Sequence, residues 1–273
     1  MGLSISLFMF MHFLTILLLY NLMFASSSFE QPLCHDDESF ALLQFKESFI
    51  INQSASSGTS TYPKVSSWKL ESDDCCSWDG VGCDKDTGHV ISLDLGNSCL
   101  YGSINTSSKL FHLVNLQRLN LSFNDFNHSR IPAGIRQLSN LTYWDLRQSR
   151  FAGQIPAEIL QLSKLVYPRL SLNLLKLQNP GLQNLVKKFP NMEELYLTRV
   201  DISSIVPNNM ANLTSLTSLT LKECDLYGEF LAGIFQLPNL EILSVRFNAD
   251  LTGYAQFNRS SPLKHLKLMG MSC

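Results

Sequence analysis

The stretch that decides the fold is LQRLNL at residues 116–121, because its spacing of leucines returns along the chain. The same L-x-x-L-x-L spacing, with Val, Met, Trp or Pro at some Leu positions, occurs at residues 90–95 (VISLDL), 141–146 (LTYWDL), 165–170 (LVYPRL), 192–197 (MEELYL), 216–221 (LTSLTL), 240–245 (LEILSV) and 263–268 (LKHLKL). Successive copies begin 23 to 27 residues apart. A fixed period of this length indicates a repeat architecture.

The last three positions of each copy alternate between apolar, polar and apolar residues, as a short strand does when one face is buried. One copy cannot bury its leucines alone, whereas stacked copies build a continuous core at a strand spacing of roughly 4.8 Å. Upstream apolar pairs, such as Ile135 with Leu138, should line the opposite wall as short helical or 3₁₀ turns. The repeat therefore predicts a solenoid with a curved parallel β-sheet on its concave side.

The N-terminus predicts export. Residues 7–25 are almost entirely apolar and precede the small residues Ser26, Ser27 and Ser28, a pattern typical of a secretory signal peptide. No Lys or Arg precedes this segment. We expect cleavage near these serines; an uncleaved signal anchor is the alternative, because the segment approaches the ~20 residues that span a bilayer.

Sequons and charge agree with an exported protein. The chain contains seven Asn-x-Ser/Thr sequons, which only the secretory route could glycosylate, at Asn52, Asn105, Asn120, Asn127, Asn140, Asn212 and Asn258. The formal net charge is -2 and no run of Lys or Arg occurs, so nucleic acid is not an expected partner.

Residues 34–83 should form a lid over the first turn, since the end of a solenoid otherwise exposes its leucines. Acidic residues at 36–38 complement the dipole at the start of a predicted helix. Leu42, Phe45 and Phe49, spaced i, i+3 and i+7, predict one apolar stripe along that helix.

The cysteines divide into two groups. An oxidising compartment would pair the four in the lid, which are Cys34, Cys75, Cys76 and Cys83, and three connectivities are open to them. Metal thiolates are the alternative for this group, but export favours disulfides. Cys99 and Cys224 lie five turns apart, roughly 24 Å, too far to pair. We expect Cys224 to be a buried structural thiol, and Cys273 ends the chain.

Several motifs resemble a known family. They are ALLQFK at residues 41–46, CCSWDGVGC at 75–83, LNLSFNDF at 119–126 and GQIP at 153–156. Together they resemble the N-terminal cap and plant-type leucine-rich repeats of plant receptor-like proteins and receptor-like kinases, over essentially all of residues 29–273.

The resemblance implies an α/β repeat fold, a right-handed leucine-rich-repeat solenoid with a disulfide-bonded N-terminal cap. Its disulfides would join Cys34 to Cys75 and Cys76 to Cys83. The domain organisation would be a signal peptide at residues 1–28, the cap at 29–88, and about seven plant-type repeats plus an unfinished last one at 89–273.

In this family an Asn three residues past the last strand Leu bonds the backbone of neighbouring turns. Asn124, Asn173 and Asn248 occupy this ladder position, and other turns carry Ser98, Ser149, Val200, Cys224 and Met271 there. The fourth turn departs most, with Pro168 at a buried Leu position and a lengthened segment at residues 171–190. We expect a shortened strand and a bulging convex side in that turn.

The solvent-facing strand residues should form one concave surface, where solenoids bind their ligands. The candidate ligand-binding residues are Arg118, Tyr143, Asp145, Arg147, Tyr167, Arg169, Glu194, Tyr196, Arg199, Lys222 and Arg246. Their tyrosines and arginines predict an aromatic and cationic column of a kind enriched at interfaces, although simple exposure also explains them. Asn120 should point into the same face, where a glycan would obstruct binding near the second turn.

No catalytic motif competes with this interpretation. The histidines lack metal-ligand spacing, and no Gly-x-Ser-x-Gly element, phosphate loop or kinase signature occurs. We therefore expect no cofactor, no metal site and no enzymatic activity.

The sequence predicts the extracellular recognition domain of a plant cell-surface receptor that acts in defence or development. It would bind a peptide, protein or glycan ligand, with a co-receptor kinase as a further partner, in the apoplast or at the outer face of the plasma membrane. Contact with the membrane would come only through the signal segment or a missing C-terminal span. A secreted inhibitor of microbial polygalacturonases is the alternative.

Overall fold

The computed structural model describes residues 9–17, 32–58, 60–69, 74–253 and 261–268. Two compact units make up the chain, Met1–Pro32 and Leu33–Cys273. In the first unit, residues 9–17 form helix α1 within the predicted signal segment, whose expected cleavage site lies outside the described residues. None of the helices in the described ranges has both the length and the apolar character needed to cross a bilayer.

The described residues of the second unit form two α-helices and fifteen short strands. The helices are α2 (Asp36–Lys46) and α3 (Leu182–Lys188). The strands are β1 (Phe49–Ile51), β2 (Val81–Cys83), β3 (Val90–Asp94), β4 (Leu100–Gly102), β5 (Arg118–Asn120), β6 (Tyr143–Asp145), β7 (Ala152–Gln154), β8 (Tyr167–Arg169), β9 (Leu174–Lys176), β10 (Glu194–Tyr196), β11 (Ser218–Thr220), β12 (Tyr227–Glu229), β13 (Ile242–Ser244), β14 (Asp250–Thr252) and β15 (His265–Lys267).

One nine-stranded sheet joins the turns of the solenoid, in the order β15-β13-β11-β10-β8-β6-β5-β3-β2. Each of the eight predicted copies of the repeat supplies one strand, and these strands pair in parallel. The middle residue of a strand points into the core, so that Leu119, Trp144 and Leu219 are buried. The predicted leucine-rich-repeat solenoid is therefore confirmed.

Short 3₁₀ helices return the chain along the convex side. They recur at one place per turn, as Lys109–His112, Ala133–Gln137, Ala157–Gln161, Asn208–Asn212 and Ala232–Gln236. Pro132, Pro156 and Pro207 directly precede three of them, where the fixed φ of proline suits the chain entering a helix. Between the two sides, small pairs form from β1 with β4, β7 with β9, and β12 with β14.

The cap closes the N-terminal end of the core. Leu42 and Phe45 of α2 are fully buried, whereas Phe49 has left the helix for β1 and packs edge-on against Phe45 at 4.9 Å. The carboxylate of Glu38, itself buried, accepts a hydrogen bond of 2.8 Å from the backbone N–H of Val90. Strand β2 pairs antiparallel with β3 and extends the main sheet by one strand.

Both cap disulfides have the pairing that the resemblance implied. Cys34 is bonded to Cys75, and Cys76 to Cys83. Cys99 and Cys224 are free and buried, as expected for thiols too distant to pair. Cys273 lies outside the described residues.

The predicted asparagine ladder is present. Asn124 accepts hydrogen bonds of 3.1 Å from the backbone N–H groups of Ser98 and Leu100 through Oδ1. Its Nδ2 donates to three backbone carbonyls of its own and the preceding turn at 2.8 to 3.1 Å. Asn173 and Asn248 bridge their turns in the same way.

Smaller residues fill the ladder position elsewhere. The Ser149 hydroxyl donates to the carbonyl of Leu121 at 2.8 Å, and the Cys224 thiol donates to the carbonyl of Leu197 at 3.0 Å. Burial raises the pKa of Cys224 to about 12, so the thiol stays protonated and acts as a donor. This agrees with its expected structural role.

The fourth turn differs from its prediction in one respect. Its strand β8 has three residues, like its neighbours, so the expected shortening is wrong. Its pairing with the next strand is reduced instead. Strand β8 pairs with β10 only at Arg169 and Tyr196, because Pro168 has no N–H to donate to that strand. The lengthened convex segment is present, and it holds β9 and α3.

One backbone conformation recurs at the edge of the concave face. The second residue past the last strand Leu or Val has a positive φ, between 51° and 62°, in seven consecutive turns, at Asn97, Phe123, Gln148, Leu172, Arg199, Glu223 and Phe247. We call these seven residues the rim. None of them is glycine, although a positive φ is strained for residues with a side chain.

Candidate functional site on the concave face

The register of the sheet divides the predicted contact residues between rows. Arg118, Tyr143 and Tyr167 lie side by side on β5, β6 and β8. Arg169 belongs to the next row, where Tyr196 is its partner on β10. The tyrosines and arginines thus form two adjacent rows instead of the single predicted column.

Four of these side chains stack across the rows. The Arg118 guanidinium lies 4.3 Å from the ring centre of Tyr143, and Arg169 lies 5.2 Å from Tyr143 and 5.3 Å from Tyr196. We call Arg118, Tyr143, Arg169 and Tyr196 the stacked cluster. Tyr167 flanks it, with its ring centre 6.2 Å from that of Tyr143. Cation–π attraction holds these four side chains together.

Asp145 is buried beside the stacked cluster and hydrogen-bonds to Tyr143 and Arg147. Its carboxylate is fully buried, and Arg147 donates to both of its oxygens at 2.7 to 3.0 Å. The Tyr143 hydroxyl donates to the same carboxylate at 3.1 Å. Burial and the charge of Asp145 raise the pKa of Tyr143, while hydrogen bonds to Asp145 raise the pKa of Arg147. Asp145, a predicted contact residue, therefore orients its neighbours and has no exposed surface of its own.

The cluster contains two charged side chains, and one of them is already paired. Arg169 is bound by Glu194, and the Tyr167 hydroxyl donates to Glu193 at 2.5 Å, a hydrogen bond that raises the pKa of Tyr167. Arg118 is different: it is exposed, and it makes no ion pair with any described residue. Its charge is thus available to a ligand.

A second group lies toward the C-terminal turns. Glu223 pairs with Arg199 at 2.5 Å and with Lys222 at 2.7 Å, and these contacts lower the pKa of Glu223, the Lys222 hydrogen bond most. Lys222 and Arg246 each lie 5.2 Å from the ring centre of Phe247. Phe247 is 47% exposed. It was missed from the sequence, although Arg199 at an equivalent rim position was predicted, because the candidates were charged residues and tyrosines.

The predicted glycosylation sites differ in their surroundings. Asn52, Asn105, Asn127 and Asn212 are exposed, and Asn258 lies outside the described residues. Asn140 is half-buried between the carbonyl of Val114 and the ammonium of Lys164. Occupancy remains a prediction for each of them.

Asn120 does lie on the concave face, as expected, but both ends of its amide are engaged. Nδ2 donates to Asp94 at 3.0 Å, and Oδ1 accepts from the backbone and hydroxyl of Ser122. The amide also sits so close to Gly96 that a Cβ there would come within 2.6 Å of Nδ2. A glycan at this position would have to displace these contacts.

Among the described residues, one group has ligand atoms close enough to share a metal ion, namely Cys34, Cys75 and Cys76. All three sulfurs are in disulfides, which removes the thiolates that a metal would need. The concave face offers polar and aromatic side chains for binding.

The fold and this surface define a leucine-rich-repeat solenoid with a disulfide-bonded cap. Residues 35–84 match the family model for the leucine rich repeat N-terminal domain. The chain is 38% identical to Receptor-like protein 6 of Arabidopsis thaliana over 92% of its length, and 41% identical to Receptor-like protein Cf-9 of Solanum pimpinellifolium over 88%. It is thus a relative of the plant leucine-rich-repeat receptor-like proteins, which confirms the resemblance.

The chain spans 28% and 29% of the length of these two relatives. Among solved structures, a plant ice-binding protein superposes with a TM-score of 0.72 at 26% identity, covering 88% of this chain and 73% of that protein. The PEPR1–AtPEP1 complex superposes with a TM-score of 0.65 at 24% identity over 86% of this chain and 35% of that one, and shows a shared fold.

Proposed function

We propose that this chain recognises an extracellular ligand for a plant cell-surface receptor, and that the ligand is a peptide bound on the concave face. The observation that carries the proposal is the stacked cluster, which presents two tyrosines and an unpaired arginine across four neighbouring strands. Large amphipathic side chains held in one arrangement bind at low entropic cost.

Relatives support the receptor role. Two curated relatives are receptor-like proteins, and the structure of PEPR1 with AtPEP1 has the same fold. Export and glycosylation, as the sequence predicts, would place the concave face outside the cell or at the outer face of the plasma membrane. The proposed role is binding, and a co-receptor kinase would then read the bound state.

A photo-crosslinking experiment tests the ligand class. A benzophenone amino acid replaces Thr220 on the concave face or, as control, Arg136 on the convex side, and the secreted protein is irradiated with peptides fractionated from apoplastic fluid. Mass spectrometry should identify a peptide joined at position 220 and none at 136. Capture at both positions, or at neither, would contradict the proposal.

The cluster is tested with the captured peptide as the probe. Arg118→Ala should weaken its binding by roughly 30-fold, as loss of a residue worth about 2 kcal/mol does. Arg136→Ala is the matched control, because Arg136 is also exposed but lies on a convex 3₁₀ helix. A purified microbial polygalacturonase serves as a second probe; binding that depends on Arg118 would favour the inhibitor alternative.

A further inference from the structure

An open groove of about 680 Å³ lies on the convex side, where the lengthened fourth turn meets the fifth. It falls within the ~300–1,000 Å³ typical of ligand sites. Its polar lining is rich in carboxamides and includes one cation, Lys187. The carboxamides are those of Gln178, Gln183, Asn184, Asn208 and Asn209. No carboxylate is among the described residues that line it.

This lining suits a carbohydrate. A carboxamide both donates and accepts hydrogen bonds, as sugar hydroxyls and the acetamido group of N-acetylglucosamine do. One acceptor is unpaired: Oδ1 of Asn209 is buried and has no partner among the described residues, while its Nδ2 reaches the carbonyl of Gln183 at 3.5 Å. A buried acceptor without a donor is stabilised by a donor from outside the chain, such as a water or a ligand hydroxyl.

The sequon at Asn212 lies on the same 3₁₀ helix as this acceptor. Side chains at i and i+3 of a 3₁₀ helix are eclipsed, so Asn209 and Asn212 share one side, roughly 6 Å apart along the axis. Of the residues between them, Met210 is buried in the core and Ala211 faces Gly233 of the following turn. The side that Asn209 and Asn212 share therefore faces the preceding turn and its groove.

We propose that the N-linked glycan of Asn212 folds back into this groove, where its first N-acetylglucosamine residues hydrogen-bond to the amides and donate to Asn209 Oδ1. The sugars then cover the irregular join between the fourth and fifth turns. Because the groove lies on the convex side, the glycan leaves the concave face open.

Hydrogen exchange of the secreted, glycosylated protein provides the first test. Thr214→Ala removes the sequon while keeping Asn212, and Ser107→Ala removes the exposed sequon at Asn105 as the matched control. Exchange in residues 178–187 and 204–210 should quicken about two- to tenfold in Thr214→Ala, the effect of one or two lost hydrogen bonds, and not in Ser107→Ala. Unchanged exchange in both variants would overturn the proposal.

Enzymatic trimming of the native glycoprotein provides the second. On protein carrying high-mannose glycans, endoglycosidase H should release the Asn212 glycan about two- to tenfold more slowly than the Asn105 glycan, and Asn209→Ala should remove much of that difference. Glycopeptide mass spectrometry reads both sites. Equal release rates, or an Asn212 without sugar, would overturn the proposal. It would also be overturned if an added free oligosaccharide slowed hydrogen exchange of the groove in Thr214→Ala, because the groove would then bind an external glycan.

Discussion

Two stretches of the solenoid differ in the side chains that occupy the ladder position. From Leu95 to Asn173 every ladder residue is polar, and each of the serines has an Asn in the next turn that accepts from its backbone. At Val200 the ladder is interrupted, because this residue has no polar side chain; it resumes with Asn248, which accepts from the backbone N–H groups of Cys224 and Leu226.

The difference shows that the asparagines act across turns. One Asn satisfies two backbone N–H groups of the preceding turn, so a small ladder residue is sufficient if an Asn follows it. Val200 is followed by Cys224, which supplies no such acceptor. The convex groove and the lengthened segment lie next to this interruption.

The largest expected effect comes from breaking the intact ladder. Asn124→Ala would leave two N–H groups and three carbonyls buried without that partner, and we expect the free energy of unfolding to fall by about 3–5 kcal/mol. Urea denaturation followed by circular dichroism measures it. Ser149→Ala, which removes one hydroxyl donor, should cost only about 1 kcal/mol. Equal losses would mean that the asparagine has no special role.

An intermediate effect should appear at alkaline pH in the interrupted stretch. Because burial raises the pKa of Cys224 from 9.0 to about 12, the native thiol keeps a proton that the unfolded chain releases. Its contribution is complete below pH 9 and is lost as the pH rises toward 12. Over that window the free energy of unfolding should fall by up to about 1.4 kcal/mol per pH unit relative to Cys224→Ala.

Denaturation curves of both proteins at pH 8 and pH 10.5 isolate this thiol, since every other group is shared. Parallel pH dependence in the two proteins would show that Cys224 ionises as readily in the native state as in the unfolded one.

The smallest effect should come from repairing the fourth turn. Pro168→Leu restores an N–H facing β10, a hydrogen bond worth ~1 kcal/mol, and removes the ~0.5 kcal/mol that proline gains by restricting the unfolded chain. A net gain of about 0.5 kcal/mol should raise the melting temperature slightly in calorimetry. A lower melting temperature would show that the interruption is set by the lengthened convex segment and not by the proline.

The sequence alone predicted the solenoid, the cap and the ladder because these depend on spacing. The leucines of the L-x-x-L-x-L spacing can be buried only if the copies stack, and the cap motif at residues 75–83 is specific. Phe49 was wrongly placed on α2. Its i+7 spacing from Leu42 fits a longer helix, but α2 ends at Lys46.

The state of each side chain on the concave face was less predictable, because it depends on residues about 25 positions away that the register brings alongside. Arg118 makes no ion pair with any described residue, whereas Arg169 is bound to Glu194, 25 residues further along the chain. Nothing local to either arginine distinguishes them. The α3 helix was likewise hidden in a segment predicted only as a bulge.

The rim residues are positions at which the binding specificity of the solenoid can change. A residue with a side chain at positive φ is strained by roughly 1–2 kcal/mol, and at Arg199, Glu223 and Phe247 that burden is present whatever the side chain is. Exchanging one such residue for another unbranched one leaves stability nearly unchanged, and glycine would relieve the strain. The solenoid thus has a row of positions beside its concave face where new specificities can arise without endangering the scaffold.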